Sequence, residues 1–168
     1  MKEEGQTMEE HLQIRRKASD NEYFHRDFHM TLDLGIQYLG EHYGKESVTE
    51  YLAEFTEIYH APLLEKIRKE GLNPLQDFIR ETYASEHASD DCLMVLTETE
   101  LQVEIVKCPV LQFFSEVGYE PSPWFYETTN TTNRTIAEQS GLLYIPGKYD
   151  PKSGHDTYRF QKRVEETT

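Results

Sequence analysis

The sequence predicts an α+β domain in which a helical N-terminal half is followed by a small antiparallel sheet with packed helices. Apolar residues repeat at helical spacing over residues 21–86, and the spacing changes to strand-like alternation over residues 92–108. From residue 109 onward, helical and alternating segments are mixed, which favours an α+β fold. With 168 residues, 12% of them aromatic, the chain can bury a substantial core. We assign residues 1–20 to a charged arm or surface helix and residues 21–168 to one domain.

The first predicted helix begins at Asn21, a favoured N-cap residue, and ends at Gly44. A second helix follows, because Ser47 and Glu50 have the spacing of a capping box. Pro62 is expected to break this helix. The apolar stripe of the first helix consists of Phe24, Phe28, Leu32, Ile36, Leu39 and Tyr43.

Two more helical segments complete the N-terminal half. One continues from the Pro62 break to Gly71. The next has Asn73 as its predicted N-cap and Pro74 at the first helical position, where proline is well tolerated.

The segment 92–108 predicts two short antiparallel strands around a two-residue turn at Glu98 and Thr99. Met94 and Leu96 make the first strand apolar on both faces, which is typical of a central strand.

The last third of the chain alternates helices and strands. Pro109 opens a helix that ends at Gly118, and Pro123 opens another that ends at Gly141. The segments LLYIPG and HDTYRFQKR predict two final strands, and the second alternates aromatic with polar residues.

The charge of the chain argues against several kinds of partner. It has 31 acidic and 17 basic residues, a formal net charge of −14. Such a surface repels phosphate groups, so neither a nucleic acid nor a membrane is expected as a partner. No apolar run approaches the roughly 20 residues of a bilayer span, and the N-terminal segment has no apolar signal-peptide core. Together with the two cysteines, these features predict a cytoplasmic protein.

Cys108 lies where the second predicted strand meets the helix that begins at Pro109. A residue at a helix N-cap faces unpaired backbone amides and the positive end of the helix dipole, and both lower the pKa of a thiol. Lys107 adds a positive neighbour. Cys108 is therefore a candidate nucleophile. The alternative is a small buried residue that only packs, since cysteine is among the most buried residue types.

A disulfide between Cys92 and Cys108 is not expected. The two-residue turn places Cys92 opposite Ile105, and Cys108 lies three residues further along. That offset is about 10 Å in a strand, whereas a disulfide needs Cα atoms within about 7 Å of each other. We therefore predict two free thiols.

His25 and His29 are one helical turn apart in the first predicted helix, and Asp33 follows one turn later. His25 projects from the middle of the apolar stripe and His29 from its margin. Three roles are open for the pair: a hydrogen-bonded core histidine, a metal-ligating pair, or a general base near Cys108. A third metal ligand is not evident in the sequence, so we predict neither a metal nor a cofactor.

The predicted helix after Pro123 places Trp124 and three threonines, Thr128, Thr131 and Thr135, on one narrow arc. Threonines seldom line a core, so this arc predicts a pocket wall, with Trp124 and Thr128 as ligand contacts. The alternative is a partly solvated face whose hydroxyls bond to the local backbone. His60 projects away from the apolar stripe of its helix and is expected to be exposed.

Four segments, in this order, resemble the L-2-amino-thiazoline-4-carboxylic acid hydrolase family: YFHRDFH, HYGKESVTEYLAEF, VEIVKCPVLQFFSEVGYEPSPWFYETT and a closing YRFQKR strand. The resemblance covers roughly residues 22–163. Its most specific element is the Lys-Cys-Pro step at 107–109, followed by an apolar helix and a Gly-Tyr pair. Some members carry a further cysteine after the linker, whereas this chain has SPWFYETT there.

The resemblance implies a hydrolase that opens a cyclic amidine, converting 2-aminothiazoline-4-carboxylate to a carbamoyl-cysteine. On this chain it implies that Cys108 attacks the substrate or polarises a water. His25 or His29 would then move protons.

The same resemblance implies a substrate pocket at the start of the Cys108 helix, with Pro109 and Val110 as contacts. Arg26 and Lys107 are the nearest basic residues for a substrate carboxylate. The alternative function is a non-catalytic module that binds or senses a small molecule. In either case the expected partner is a small-molecule substrate or ligand, and the sequence leaves homo-oligomerisation open.

Overall fold

The structure, a computed structural model, describes residues 25–163, with side chains from Phe28 onward. It confirms the predicted α+β fold, in which helices come first and the sheet is antiparallel. The predicted arm at residues 1–20 lies outside the described residues. The described elements are, in chain order, α1 (His25–Tyr43), α2 (Lys45–Tyr59), α3 (Ala61–Glu70), α4 (Asn73–Ser85), β1 (Cys92–Leu96), β2 (Glu100–Ile105), α5 (Pro109–Val117), α6 (Glu127–Gln139), β3 (Leu142–Tyr149) and β4 (Asp156–Lys162).

The four strands form one antiparallel sheet in the order β1-β2-β4-β3. Cys92 pairs with Ile105, which confirms the predicted register, and both cysteines are free thiols. The predicted central position of the first strand is wrong, because β1 lies at an edge and exposes Leu93 and Val95. The described helices pack on the opposite face of the sheet, so the second apolar row of β1 stays uncovered.

The main core lies between the inner face of the sheet and the helices α3, α4 and α6. Strands β2 and β4 alternate strictly, so that every second side chain points into this core. The buried cluster consists of Leu64, Ile67, Leu72, Leu75, Ile79, Leu101, Val103, Ile105, Ile136, Ala137, Leu142, Tyr158 and Phe160. Smaller clusters lie between α1 and α2 and around α5.

The start of α2 differs from the prediction. The helix begins at Lys45 after Gly44, whose φ of 89° suits glycine, and no side chain caps it. The Ser47 hydroxyl donates instead to the carbonyl of Tyr43, so the capping box with Glu50 does not form. The predicted break at Pro62 is confirmed, because this proline lies in the first turn of α3.

Helix α6 begins at Glu127 rather than at Pro123. The residues in between form turns, and the segment just before them is held by Asp33 of α1. Its carboxylate accepts hydrogen bonds from the Ser122 amide at 2.8 Å, the Ser122 hydroxyl at 2.6 Å and the Tyr119 hydroxyl at 2.8 Å. In the part of the chain that the structure describes, none of the helices is both long and apolar enough to cross a membrane.

Candidate functional site

A cavity of about 320 Å³ lies between the helices and the inner face of the sheet. Helices α1, α2, α4 and α6, the start of α5, and strands β2, β3 and β4 all contribute to its wall. The wall is mostly apolar and rich in aromatic rings, including Phe28, Phe55, Phe78 and Phe125.

The cavity brings together most of the predicted site residues with described side chains. Helix α1 contributes one, the start of α5 three, and α6 one: His29, Cys108, Pro109, Val110 and Thr128. Their chemical roles stay predictions. The side chains of His25 and Arg26 lie outside the described residues, and Lys107 is exposed and does not line the cavity.

Cys108 is the N-cap residue of α5, as predicted, with φ −87° and ψ 117°. The backbone amides of Val110 and Leu111 lie near its sulfur and lower the pKa of the thiol, although the side chain forms no capping hydrogen bond. Burial has the larger effect and raises that pKa above its ordinary value. The predicted lowering of the Cys108 pKa is therefore wrong, because enclosure of the sulfur outweighs the helix terminus.

Acidic neighbours act in the same direction as burial. The charges of Asp156 and Glu86 raise the pKa of Cys108 further. Lys107, which was expected to lower the pKa, is exposed. Burial and the acidic neighbours thus both favour the thiol over the thiolate.

The loop between β3 and β4 packs against Cys108. The Cys108 amide donates to the carbonyl of Ser153 at 3.2 Å. Gly154, next in the chain, has a φ of +69°, and a Cβ atom there would collide with the Cys108 and Leu111 side chains. The loop is held by Asp150, whose carboxylate accepts the Ser153 hydroxyl at 2.6 Å. Glycine at position 154 is thus required by both backbone conformation and space.

Among the described residues, His29 and His60 are the histidines that line the cavity. The His29 ring lies edge-on to Phe125 with its centroid 6.2 Å away. The expected exposure of His60 is wrong, because its ring lies edge-on to Phe78 at 5.2 Å and lines the same cavity. The helical period of α2 does not apply to His60, since the chain turns there into α3 ahead of Pro62.

The described residues contain no group of three or more His, Cys, Asp or Glu side chains that could hold a metal ion. A metal site formed by His25 and His29 would also require the side chain of His25, which lies outside the described residues.

The threonine-rich face of α6 is partly a cavity wall. Thr128 lines the cavity, and its hydroxyl donates to the Phe125 carbonyl at 2.7 Å. The local backbone bond of the alternative is therefore present, but Thr128 is buried rather than partly solvated. Thr131 is buried and donates to Glu127 at 2.7 Å instead. Because α6 starts after position 126, Trp124 does not continue this face. It packs against Gly40 of α1 and is not among the described residues that line the cavity.

Asp156 is the site residue that the sequence analysis missed. It lies at the start of β4, lines the cavity and is 3% exposed. Burial raises its pKa to about 6 from the ordinary value of 3.8. The alternating pattern of β4 could have identified it. Asp156 is two residues before Tyr158 and four before Phe160, so its side chain lies on the same buried face of the strand.

Comparison of the chain with protein-family models, with curated proteins and with solved structures gives no match.

Proposed function

We propose that this protein binds a small, mainly apolar molecule in the cavity between its helices and its sheet, as a binding or sensing module. The observation that carries the proposal is the cavity itself, with about 320 Å³ of space and a wall rich in aromatic rings. This volume is in the range of small-molecule sites, which combine apolar walls with a few polar groups.

The polar groups of the wall favour a ligand without a carboxylate. Two carboxyl groups, Asp156 and Glu86, line the cavity, whereas none of the described lining residues is lysine or arginine. An anionic ligand would meet like charge there without a basic partner. Two free thiols and a net charge of −14 favour a cytoplasmic protein whose partner is a small molecule.

The binding proposal is tested with neutral aromatic probes such as indole and 2-phenylethanol. We expect calorimetric binding to the wild type and slower iodoacetamide labelling of Cys108 in the presence of the probe. Thr132 lines the cavity, so Thr132→Phe should reduce binding at least tenfold by filling space. Thr49→Phe on α2, outside the cavity wall, is the matched control and should leave binding unchanged. Equal binding by the two variants would contradict the proposal.

A second candidate is the amidine hydrolase activity that the family resemblance implies. It is favoured by the presence of Cys108 and His29 in one cavity, with the backbone amides of Val110 and Leu111 near the sulfur. In this scheme a base such as His29 takes the thiol proton, and the sulfur adds to the amidine carbon. The carbon–nitrogen bond then breaks as the nitrogen receives that proton. Water adds to the same carbon and releases Cys108 as a thiol.

The raised pKa of Cys108 favours binding over hydrolysis. We expect iodoacetamide to modify Cys108 and Cys92 slowly at pH 7.5, with a marked acceleration only under alkaline conditions. Burial raises the pKa of Cys92 to about 11. Probe binding that survives Cys108→Ser, without product from 2-aminothiazoline-4-carboxylate by mass spectrometry, would support the binding module. Turnover that Cys108→Ala abolishes would support the hydrolase.

A further inference from the structure

Asp156 differs from two other buried carboxylates, Asp33 and Glu127, in its hydrogen bonding. Neither of its carboxylate oxygens makes a hydrogen bond within the described residues. The Thr157 amide lies near enough to lower the pKa of Asp156, but its geometry falls short of a hydrogen bond. When protonated, the neighbouring His155 also lowers the pKa of Asp156, but its imidazole lies 3.2 Å from the Glu104 carboxylate.

Asp33 and Glu127, two other buried carboxylates, have hydrogen-bond or ion-pair partners within the protein. Asp33 accepts three hydrogen bonds, as described above. Glu127 pairs with the Lys45 ammonium at 2.8 Å and accepts the Thr131 hydroxyl at 2.7 Å. A buried charge is costly unless it is paired. The absence of hydrogen bonds to the Asp156 carboxylate therefore requires an explanation.

The surroundings of Asp156 suit a cation. Tyr149 lies opposite Asp156 in the pairing of β3 with β4, and tyrosines of α4, of the turn before α6 and of β4 line the same cavity: Tyr83, Tyr126 and Tyr158. The rings of Tyr126 and Tyr149 stack at 3.9 Å and both line the cavity. Aromatic faces attract ammonium groups, and more strongly where water is excluded.

The ionisable side chains that line the cavity also favour a cationic ligand. Apart from Asp156, the titratable groups that face the cavity from the described elements include the carboxyl of Glu86, the thiol of Cys108 and the imidazoles of His29 and His60. With a pKa of about 6, Asp156 itself is ionised at neutral pH.

We infer that Asp156 binds the ammonium group of a small primary amine, whose apolar body occupies the aromatic part of the cavity. The inference rests on the proposed function and names its ligand class: an amine with a hydrocarbon or aromatic body and without a carboxylate. The carboxylate supplies the charge partner, and the tyrosine rings enclose the cation.

The test compares three probes of similar size by calorimetry at pH 7.5: 2-phenylethylamine, 2-phenylethanol and 3-phenylpropanoate. We expect the wild type to bind the amine at least tenfold more tightly than the alcohol and to bind the acid most weakly. Asp156→Asn should reduce amine affinity at least tenfold and change alcohol affinity less than threefold. Asp77→Asn, the same change on the exposed face of α4, is the matched control and should keep the preference for the amine.

Equal affinity of the wild type for amine and alcohol would overturn the inference and leave the proposed function standing. A preference for the amine that persists in Asp156→Asn would also overturn it. Absence of binding by all three probes would overturn both the inference and the proposed function. If Asp156→Asn does not fold, as judged by circular dichroism, the wild-type comparison of amine with alcohol decides alone.

Discussion

Replacing Asp156 by asparagine should stabilise the unliganded protein at neutral pH. An ionised carboxylate without a partner is unfavourable in the buried site, and the asparagine amide has the same shape without the charge. Between about pH 4 and pH 6 the folded protein binds a proton at Asp156 that the unfolded chain has released. The free energy of unfolding of the wild type therefore falls as the pH rises through this window, and the loss persists above it.

The size of the effect follows from the raised pKa. A rise from 3.8 to about 6, at about 1.4 kcal/mol per pKa unit, corresponds to at most about 3 kcal/mol. Water that enters the cavity screens the charge, so we expect a gain of about 1–2 kcal/mol for Asp156→Asn at pH 7.5. At pH 4 the aspartate is protonated in the folded state, and the gain should be close to zero.

Urea unfolding followed by circular dichroism at pH 4 and pH 7.5, on either side of the pI of about 4.9, measures both values. Asp33→Asn is the contrasting variant, because its carboxylate has three donors, including the Ser122 amide. Replacing one oxygen there by an NH₂ group should destabilise the protein at pH 7.5 by about 1.5–3 kcal/mol. A loss of stability in Asp156→Asn at pH 7.5, or a gain of the same size at both pH values, would refute the reasoning.

Two glycine pairs give further predictions by thermal or urea unfolding. Gly154→Ala should cost about 2–4 kcal/mol, because its positive φ disfavours a side chain and the new methyl group would collide with the α5 terminus. Gly118→Ala has a similar φ of +71° but open space, and should cost only about 1 kcal/mol. A Cβ atom at Gly40 would lie 2.5 Å from the Trp124 ring, so Gly40→Ala should destabilise by about 1–3 kcal/mol and shift the tryptophan fluorescence. Gly35→Ala on the same helix meets open space and should stabilise by up to about 1 kcal/mol through helix propensity. Equal effects within either pair would contradict the steric argument.

Local patterns in the sequence were sufficient for most of the fold. The pairing of Cys92 with Ile105 was predictable because the two-residue turn and the alternation of the flanking strands fix one register. Pro62 and Gly118 marked helix ends through backbone constraints that act within a few residues. The edge position of β1 was not predictable, because apolar residues on both faces do not reveal which face the helices cover.

The candidate site was only partly predictable, because its properties depend on enclosure. The position of Cys108 at a helix N-cap followed from the Cys-Pro step, but its raised pKa depends on burial and on acidic groups distant in sequence. His60 belongs to the site because the chain turns between α2 and α3, which a helical period does not encode. Asp156 had a visible signal in the alternation of β4, but its lack of a hydrogen-bond partner exists only in the folded arrangement.

The contact between the β3–β4 loop and Cys108 has a practical consequence for following occupancy of the cavity. The Ser153 carbonyl accepts a hydrogen bond from the Cys108 amide and the buried Gly154 lies against the Cys108 side chain, while Lys152, on the same loop, is exposed. Because Gly154 and Cys108 both line the cavity, we expect a molecule beside Cys108 to contact this loop. An environment-sensitive dye on a Lys152→Cys variant would therefore report occupancy from the outer surface, without a label inside the cavity.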